Sequence, residues 1–243
     1  FYKAIKSQIH KYEQINPPKN LVGIGIAICG PFDFREGISL MRHKYESIYG
    51  INLREELIKK LKYFRKMTLP IIFDSDVRSF VRGEYLVGQG RGFKRVAGVT
   101  LGEGVGFAFM VNGEFQENVP DLWCMPYKDG ILEDYVSRRG IIRRYQELKG
   151  HRESMIDVRE IALRAVKKSD EIALKVFKDL GEILGEVLAP IFLKIKPEVL
   201  IMGGGISNAF NLFYEPLSRK LSKIPSLKKI TKALHIETAA LYG

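Results

Sequence analysis

The sequence predicts an α/β protein, and three observations carry the prediction. Short runs of Ile, Val and Leu at Leu21–Cys29, Ile71–Phe73, Val96–Leu101 and Val199–Met202 read as buried strands. Longer stretches with apolar residues at helical spacing lie between them, and strands alternating with helices make an α/β fold. Three of the strands run straight into a turn built from glycine, proline or acid: Gly30-Pro31, Asp74-Ser75-Asp76 and Gly203-Gly204-Gly205.

Each element has its own signal. Phe1, Ile5, Ile9 and Tyr12 share one helical face, and Asn16-Pro17-Pro18 breaks that helix. The strand Leu21–Cys29 ends at Gly30-Pro31, a turn. Phe32–Leu40 reads as a short hairpin around Arg35-Glu36-Gly37. Asn52 caps a helix from Leu53 to about Met67, with Glu55 completing a variant capping box. Pro70 ends that region, and Ile71–Phe73 delivers Asp74-Ser75-Asp76 to the start of a helix over Val77–Leu86. Val96–Leu101 and Phe107–Val111 flank a glycine turn, and Asn112-Gly113 is a strong hairpin signal. Ile131–Leu148 reads as helix with a break near Gly140, and Asp157–Lys168 as another. Asp170–Lys194 is the longest periodic run, and Pro190 predicts a late kink in it. Asn208 is the candidate cap for a helix after the Gly203–Gly205 turn, and Ile236–Leu241 starts a further element.

The chain's 243 residues fit one large domain or two small ones. A hydrophobic fraction of 46% and a mean hydropathy of −0.08 are those of a soluble globular protein. No apolar run approaches the roughly 18 residues of a membrane span, and nothing reads as a signal peptide. The chain starts at Phe1 and stops at Gly243 just after an apolar run, so both ends read as cut, and a cytoplasmic protein is the default expectation. Two cysteines, Cys29 and Cys124, make neither a disulfide framework nor a zinc quartet. The four histidines, His10, His43, His151 and His235, are scattered without ligand spacing, so zinc is not expected. A net charge of +11 suits a polyanionic partner. The lysines nonetheless spread over Lys59–Lys66, Lys167–Lys178 and Lys220–Lys232, as solvated helix faces do. High Lys, Arg and Glu content also fits a heat-adapted protein.

Leu101-Gly102-Glu103-Gly104-Val105-Gly106 is the most informative stretch. Glycines at 102, 104 and 106 let backbone N–H groups approach an anion closely. Glu103 would then face that anion, and like charges about 4 Å apart repel by ~4 kcal/mol at an effective dielectric near 20. The plain alternative is a tight hairpin turn without a ligand. Ligands in open α/β sheets bind at the carboxyl ends of the strands, where the three turns lie. A carboxylate there, facing glycine turns, suits general-base work on a hydroxyl, and Asp76 is the candidate. Helix N-capping accounts for Asp74 and Asp76 equally well.

The combination is more specific than its parts. In order, the chain carries Gly23 to Asp33 (GIGIAICGPFD), Asp74 to Arg78 (DSDVR), Glu84 with Gly88 to Gly92 (GQGRG), Leu101 to Gly106 (LGEGVG) with Asn112-Gly113, Ile131-Leu132-Glu133, and Lys196 to Ser207 (KPEVLIMGGGIS). This series, from about residue 20 to the end, resembles the ROK family of repressors, open reading frames and sugar kinases. The resemblance implies a two-lobed, actin-like ATPase fold of the ribonuclease H-like class that includes sugar kinases, Hsp70 and actin, with a sugar between the lobes. Residues 1–110 would form the first lobe, lacking its N-terminal strands and first phosphate loop, and 111–243 the second. It places a catalytic aspartate at Asp76 and sugar contacts at Ser75, Asp76, Glu133 and Gly30. Gly102, Gly104 and Gly106 would form the second phosphate loop, and Gly203, Gly204 and Gly205 would lie on the adenosine side. Phe32, Phe34, Tyr45 and Trp123 are candidates to line the sugar site, with core packing as the alternative for each.

The departures point another way. Family kinases carry Thr where Glu103 stands, and glycine where Phe107 and Ala108 stand. Their Glu-x-x-His sugar motif and cysteine-rich zinc loop belong between Gly113 and Leu132, an interval much too short here, which reads Asp121-Leu122-Trp123-Cys124-Met125-Pro126. An Asp-x-Gly-Gly-Thr loop would lie upstream of Phe1, as would any winged helix-turn-helix. The first expectation is therefore the sugar-sensing, dimerising region of a ROK transcriptional regulator, with DNA reached through an upstream domain. The alternative is an ATP-dependent sugar kinase of the glucokinase or N-acetylglucosamine kinase type, for which ATP and Mg follow. A third is a fold kept only for dimerisation. All three take a homodimer, and the first two a monosaccharide.

Overall fold

A computed structural model describes residues 2–15, 22–42, 45–65, 69–167, 170–236 and 238–243. The Asn16–Pro18 break, the strand start at Leu21, His43, the helix end at Met67 and Lys168 lie outside the described residues. The chain divides into two compact units, Phe1–Asp76 and Val77–Gly243.

The first unit holds α1 (Tyr2–Ile15), β1 (Ile24–Ile28), β2 (Phe32–Asp33), β3 (Ile38–Ser39), α2 (Leu53–Arg65) and β4 (Ile71–Ser75). β1 and β4 pair in parallel, with Ala27 opposite Asp74 and Ile28 opposite Ser75. The expected cap of α2 is present: Glu55 N–H donates to Asn52 Oδ1 at 3.0 Å. One face of the β1–β4 pair packs with both helices through Ile9, Ile28, Leu57, Leu61, Ile71 and Phe73. Phe32 and Phe34 belong to this core, whereas Tyr45 is exposed. Arg54 staples the β2–β3 hairpin to β4, donating to the carbonyls of Phe34 and Ile71 at 3.1 Å each and to that of Arg35.

The second unit takes in α3 (Asp76–Val87) from its second residue, then β5 (Arg95–Leu101), β6 (Val105–Val111), β7 (Glu114–Phe115), β8 (Pro126–Tyr127) and β9 (Gly130–Ile131). There follow α4 (Glu133–Val136), α5 (Arg138–Lys149), α6 (Val158–Lys167), α7 (Glu171–Ile195), β10 (Val199–Gly203), α8 (Phe210–Leu221), β11 (Lys229–Lys232) and α9 (Ala239–Tyr242). The five-stranded sheet runs β11-β10-β5-β6-β7. β10 is parallel to both neighbours, and β6 is antiparallel to β5. Alternation sets the two faces. Ala97, Val99, Leu101, Leu200 and Met202 point into the core under α4 to α8, while Val96, Val199 and Ile201 pack with Val77, Phe80 and Val81 of α3. Burial on both faces is why β10 reads as an unbroken apolar run.

Glu198, just ahead of β10, ties three strands together. Its carboxylate accepts from Lys94 N–H at 2.7 Å, Arg95 N–H at 3.2 Å and Lys228 Nζ at 2.6 Å. The Lys228 ammonium and then the Lys94 amide hold its carboxyl below the usual glutamate range.

The end of β6 pairs with β7 across Asn112-Gly113, and β5 pairs with β10. Two expectations are corrected. The break within 131–148 is at Ser137, not Gly140, because α5 restarts where Arg138 N–H donates to Gly102 O at 2.8 Å. Gly140 lies inside α5, where a Cβ would meet the Asp134 carbonyl at 2.5 Å. Asn208 does not cap α8; its amide donates to Gly205 O at 3.1 Å within a 3-10 turn over Gly205–Ala209. β11 is an addition, a polar edge strand that carries no apolar run. α7 continues through Pro190 as one helix.

Candidate functional site

Two sets of predicted residues are each brought to a sheet edge. In the first unit, Gly30-Pro31 follows β1, and Asp74, Ser75 and Asp76 end β4 and open α3. Because β1 and β4 are parallel, both turns emerge at the carboxyl edge of the pair. Ser75 N–H is held by Asp74 Oδ1 at 2.8 Å. Asp74 and Ser75 are half-buried, and Asp76 is exposed on the first turn of α3, where the helix dipole favours a carboxylate.

In the second unit the two glycine turns meet. The register places Gly203 opposite Thr100, so the turn after β5 and the turn after β10 leave the sheet side by side. Gly204 has φ of +79° and lies so close to β5 that a Cβ would sit 2.3 Å from Leu101 O. Around Gly102 and Gly205 a Cβ would meet nothing within 4 Å, so there is open space beside both glycines. Gly102 N–H closes the first turn on Gly104 O at 2.9 Å. Gly106 lies against Thr100 Oγ1, 2.6 Å from where its Cβ would be.

Glu133 is buried on α4 and serves this turn. Its Oε2 accepts Val105 N–H at 3.1 Å, and its Oε1 lies 3.7 Å from Arg139 Nη2. Arg139 is held more closely by Asp134, at 2.7 Å. Glu103, read from sequence as an acid facing an anion, is 75% exposed and pairs with Arg138 Nε at 3.6 Å. Arg138 is a residue that the sequence reading missed. Only the basic run Arg138-Arg139 at the helix start signalled it.

The interval 113–132 folds as a short compact connection. Leu122 is buried, the β8–β9 hairpin turns at Lys128, and Leu132 N–H donates to Met125 O at 2.8 Å. Trp123 is exposed. Among the described residues no three His, Cys, Asp or Glu side chains gather as a metal-ligand set, and no helix is long and apolar enough to cross a membrane.

The chain is similar to kinases of amino sugars. An N-acetyl-D-glucosamine kinase of Photobacterium profundum is 28% identical over 93% of this chain and 79% of that protein. An N-acetylgalactosamine kinase, AgaK, of a Shewanella species is also 28% identical, over 56% of this chain and only half of that protein's length. Among solved structures, a ROK family glucokinase from Streptomyces griseus, in complex with glucose and AMPPNP, superposes with a TM-score of 0.79 at 18% identity, over 99% of this chain and 85% of that one. A ROK family transcriptional regulator, a homolog of the E. coli MLC protein, gives the same TM-score and identity over 100% of this chain and 66% of that one. These likenesses show the fold, the two-lobed actin-like ATPase fold of ROK sugar kinases. The model of the ROK family matches residues 1–242, and this chain belongs to the ROK family.

Proposed function

We propose that this chain is the body of an ATP-dependent sugar kinase that phosphorylates a monosaccharide hydroxyl, with Asp76 as general base. The observation that carries the reading is the pair of glycine turns set side by side after β5 and β10, with open space beside Gly102 and Gly205. The sequence relatives that are kinases support it. The Asp76 carboxylate accepts the proton of the sugar hydroxyl as its oxygen bonds to the terminal phosphorus. The bond from that phosphorus to the bridging oxygen breaks, and ADP leaves. Gly102, Gly104 and Gly106 present backbone to the phosphates, Gly203 to Gly205 border the adenosine, and Ser75, Glu133 and Gly30 contact the sugar. Magnesium would arrive on the nucleotide phosphates; among the described residues no three His, Cys, Asp or Glu side chains gather as a ligand set for it. Homodimerisation in the cytoplasm belongs to the same proposal.

The experiment is a coupled assay of ADP release with glucose, N-acetylglucosamine, N-acetylgalactosamine and mannose. We expect turnover with at least one sugar, and its loss by a factor of about 100 or more in Asp76→Asn, in keeping with the usual contribution of a general base.

Exposed Glu103 on the glycine turn, together with the short interval 113–132, favours a second reading as the sugar-sensing part of a regulator. Sugar binding without phosphoryl transfer, coupled to release of operator DNA by the whole protein, would establish that reading instead.

A further inference from the structure

Arg138 grips the glycine turn twice. Its main-chain N–H donates to Gly102 O at 2.8 Å, and its Nε lies 3.6 Å from Glu103 Oε1. It is the first helical residue of α5, a helix of 12 residues, where the dipole favours an anion. Ser137, immediately before it, is fully buried, and its Oγ has no hydrogen-bond partner among the described residues. The other arginines of this helix are held more firmly. Arg139 meets Asp134 at 2.7 Å, Arg143 meets Asp134 O at 2.9 Å, and Arg144 meets Asp179 at 2.9 Å. The Glu103 carboxylate is 75% exposed and the Arg138 side chain 48% exposed, and an ion pair in such surroundings is easily exchanged.

We infer that Arg138 is the side chain that takes up a phosphate chain at the Gly102–Gly104 turn, and that Glu103 is an internal competitor for it. The inference rests on the nucleotide reading proposed above. Glu103 is a single carboxylate on the turn itself. A di- or triphosphate brings more charge and more acceptor oxygens to the same guanidinium, which can bind it in a bidentate manner. The incoming chain displaces Glu103 towards solvent, where its exposure already places it. An acid on this turn therefore lowers phosphate affinity without abolishing it.

The test is calorimetric titration of adenosine, ADP and tripolyphosphate into the wild-type protein and into the variants Arg138→Gln, Arg138→Lys and Glu103→Gln. Thermal melts confirm that each variant is folded. ADP should bind at least tenfold more weakly to Arg138→Gln, with the loss partly restored in Arg138→Lys. Glu103→Gln should bind ADP about threefold to tenfold more tightly. Adenosine affinity should not change in any variant. Tripolyphosphate binding with the same dependence on Arg138 would support the inference and make the bare phosphate chain the recognised group. If ADP binds wild type and Arg138→Gln equally, the inference is overturned while the nucleotide reading stands. If neither wild type nor Glu103→Gln binds ADP or tripolyphosphate, both are overturned.

Discussion

Gly204 decides whether the two glycine turns can sit together. Its positive φ strains any other L-residue, and a Cβ there would sit 2.3 Å from Leu101 O. Gly204→Ala should cost about 1–3 kcal/mol of stability in urea unfolding, the usual range for a strained backbone position. Gly205→Ala is the control, since its Cβ would enter open space, and it should change stability by less than about 0.5 kcal/mol. Equal losses in the two variants would mean that the turns are not packed as described. The three glycines were legible in the sequence as a group, but the one that matters was not. That depends on a carbonyl of another strand. Glu103 was legible as an acid on a phosphate-shaped turn. Its partner Arg138 was not, because a helix restart supplies it from far along the chain.

At the scale of elements, α7 shows what local signals can do. The expected range of Asp170–Lys194 and the observed Glu171–Ile195 differ by a residue at each end. Asp170 Oδ1 accepts Ala173 N–H at 3.0 Å, and Asp170 Oδ2 meets Tyr145 Oη at 2.8 Å and Lys149 Nζ at 3.3 Å. Burial pushes the Asp170 carboxyl up, but these three partners outweigh it, and its pKa lies below the usual aspartate value. A carboxyl depressed in the folded state stabilises the protein above its unfolded pKa, and that contribution is lost as pH falls through the folded one. Asp170→Ala should therefore cost about 1–2 kcal/mol at pH 7. Urea titrations at falling pH should show the gap to wild type narrowing below the ordinary aspartate range; a gap that stays constant would exclude a charged cap. By contrast, the α4–α5 break and the 3-10 turn before α8 are set by Gly102 O and Gly205 O, which local sequence does not encode.

For the whole molecule, the carboxyl-edge position of the turns was legible, because apolar runs and turn residues alternate cleanly. The strand order β11-β10-β5-β6-β7 was not, since it depends on β5 joining β10 across the chain and on an edge strand without an apolar run. The two units also differ in cover. β10 is buried throughout, whereas Ile72 of β4 is 68% exposed and Gly25 and Ala27 of β1 are exposed. Strands with little apolar cover open at lower free energy. Native-state hydrogen exchange should find β5 and β10 amides protected about tenfold or more beyond those of β1 and β4. Uniform protection would imply that the chain opens only as one cooperative body.

Glu198 gives β5, β10 and β11 a common zero mark at their amino ends. Counted from that mark, Thr100 and Gly203 fall at the same graduation, and this is why the two turns arrive level. An extra residue inserted in either strand would leave the mark in place and carry one turn about 3.3 Å past the other. It would also reverse every following side chain between the faces. An extra residue in a turn changes neither count. An added residue would therefore be accommodated in the turns and not in the strands, and the spans between Glu198 and the glycines behave as rulers of fixed length.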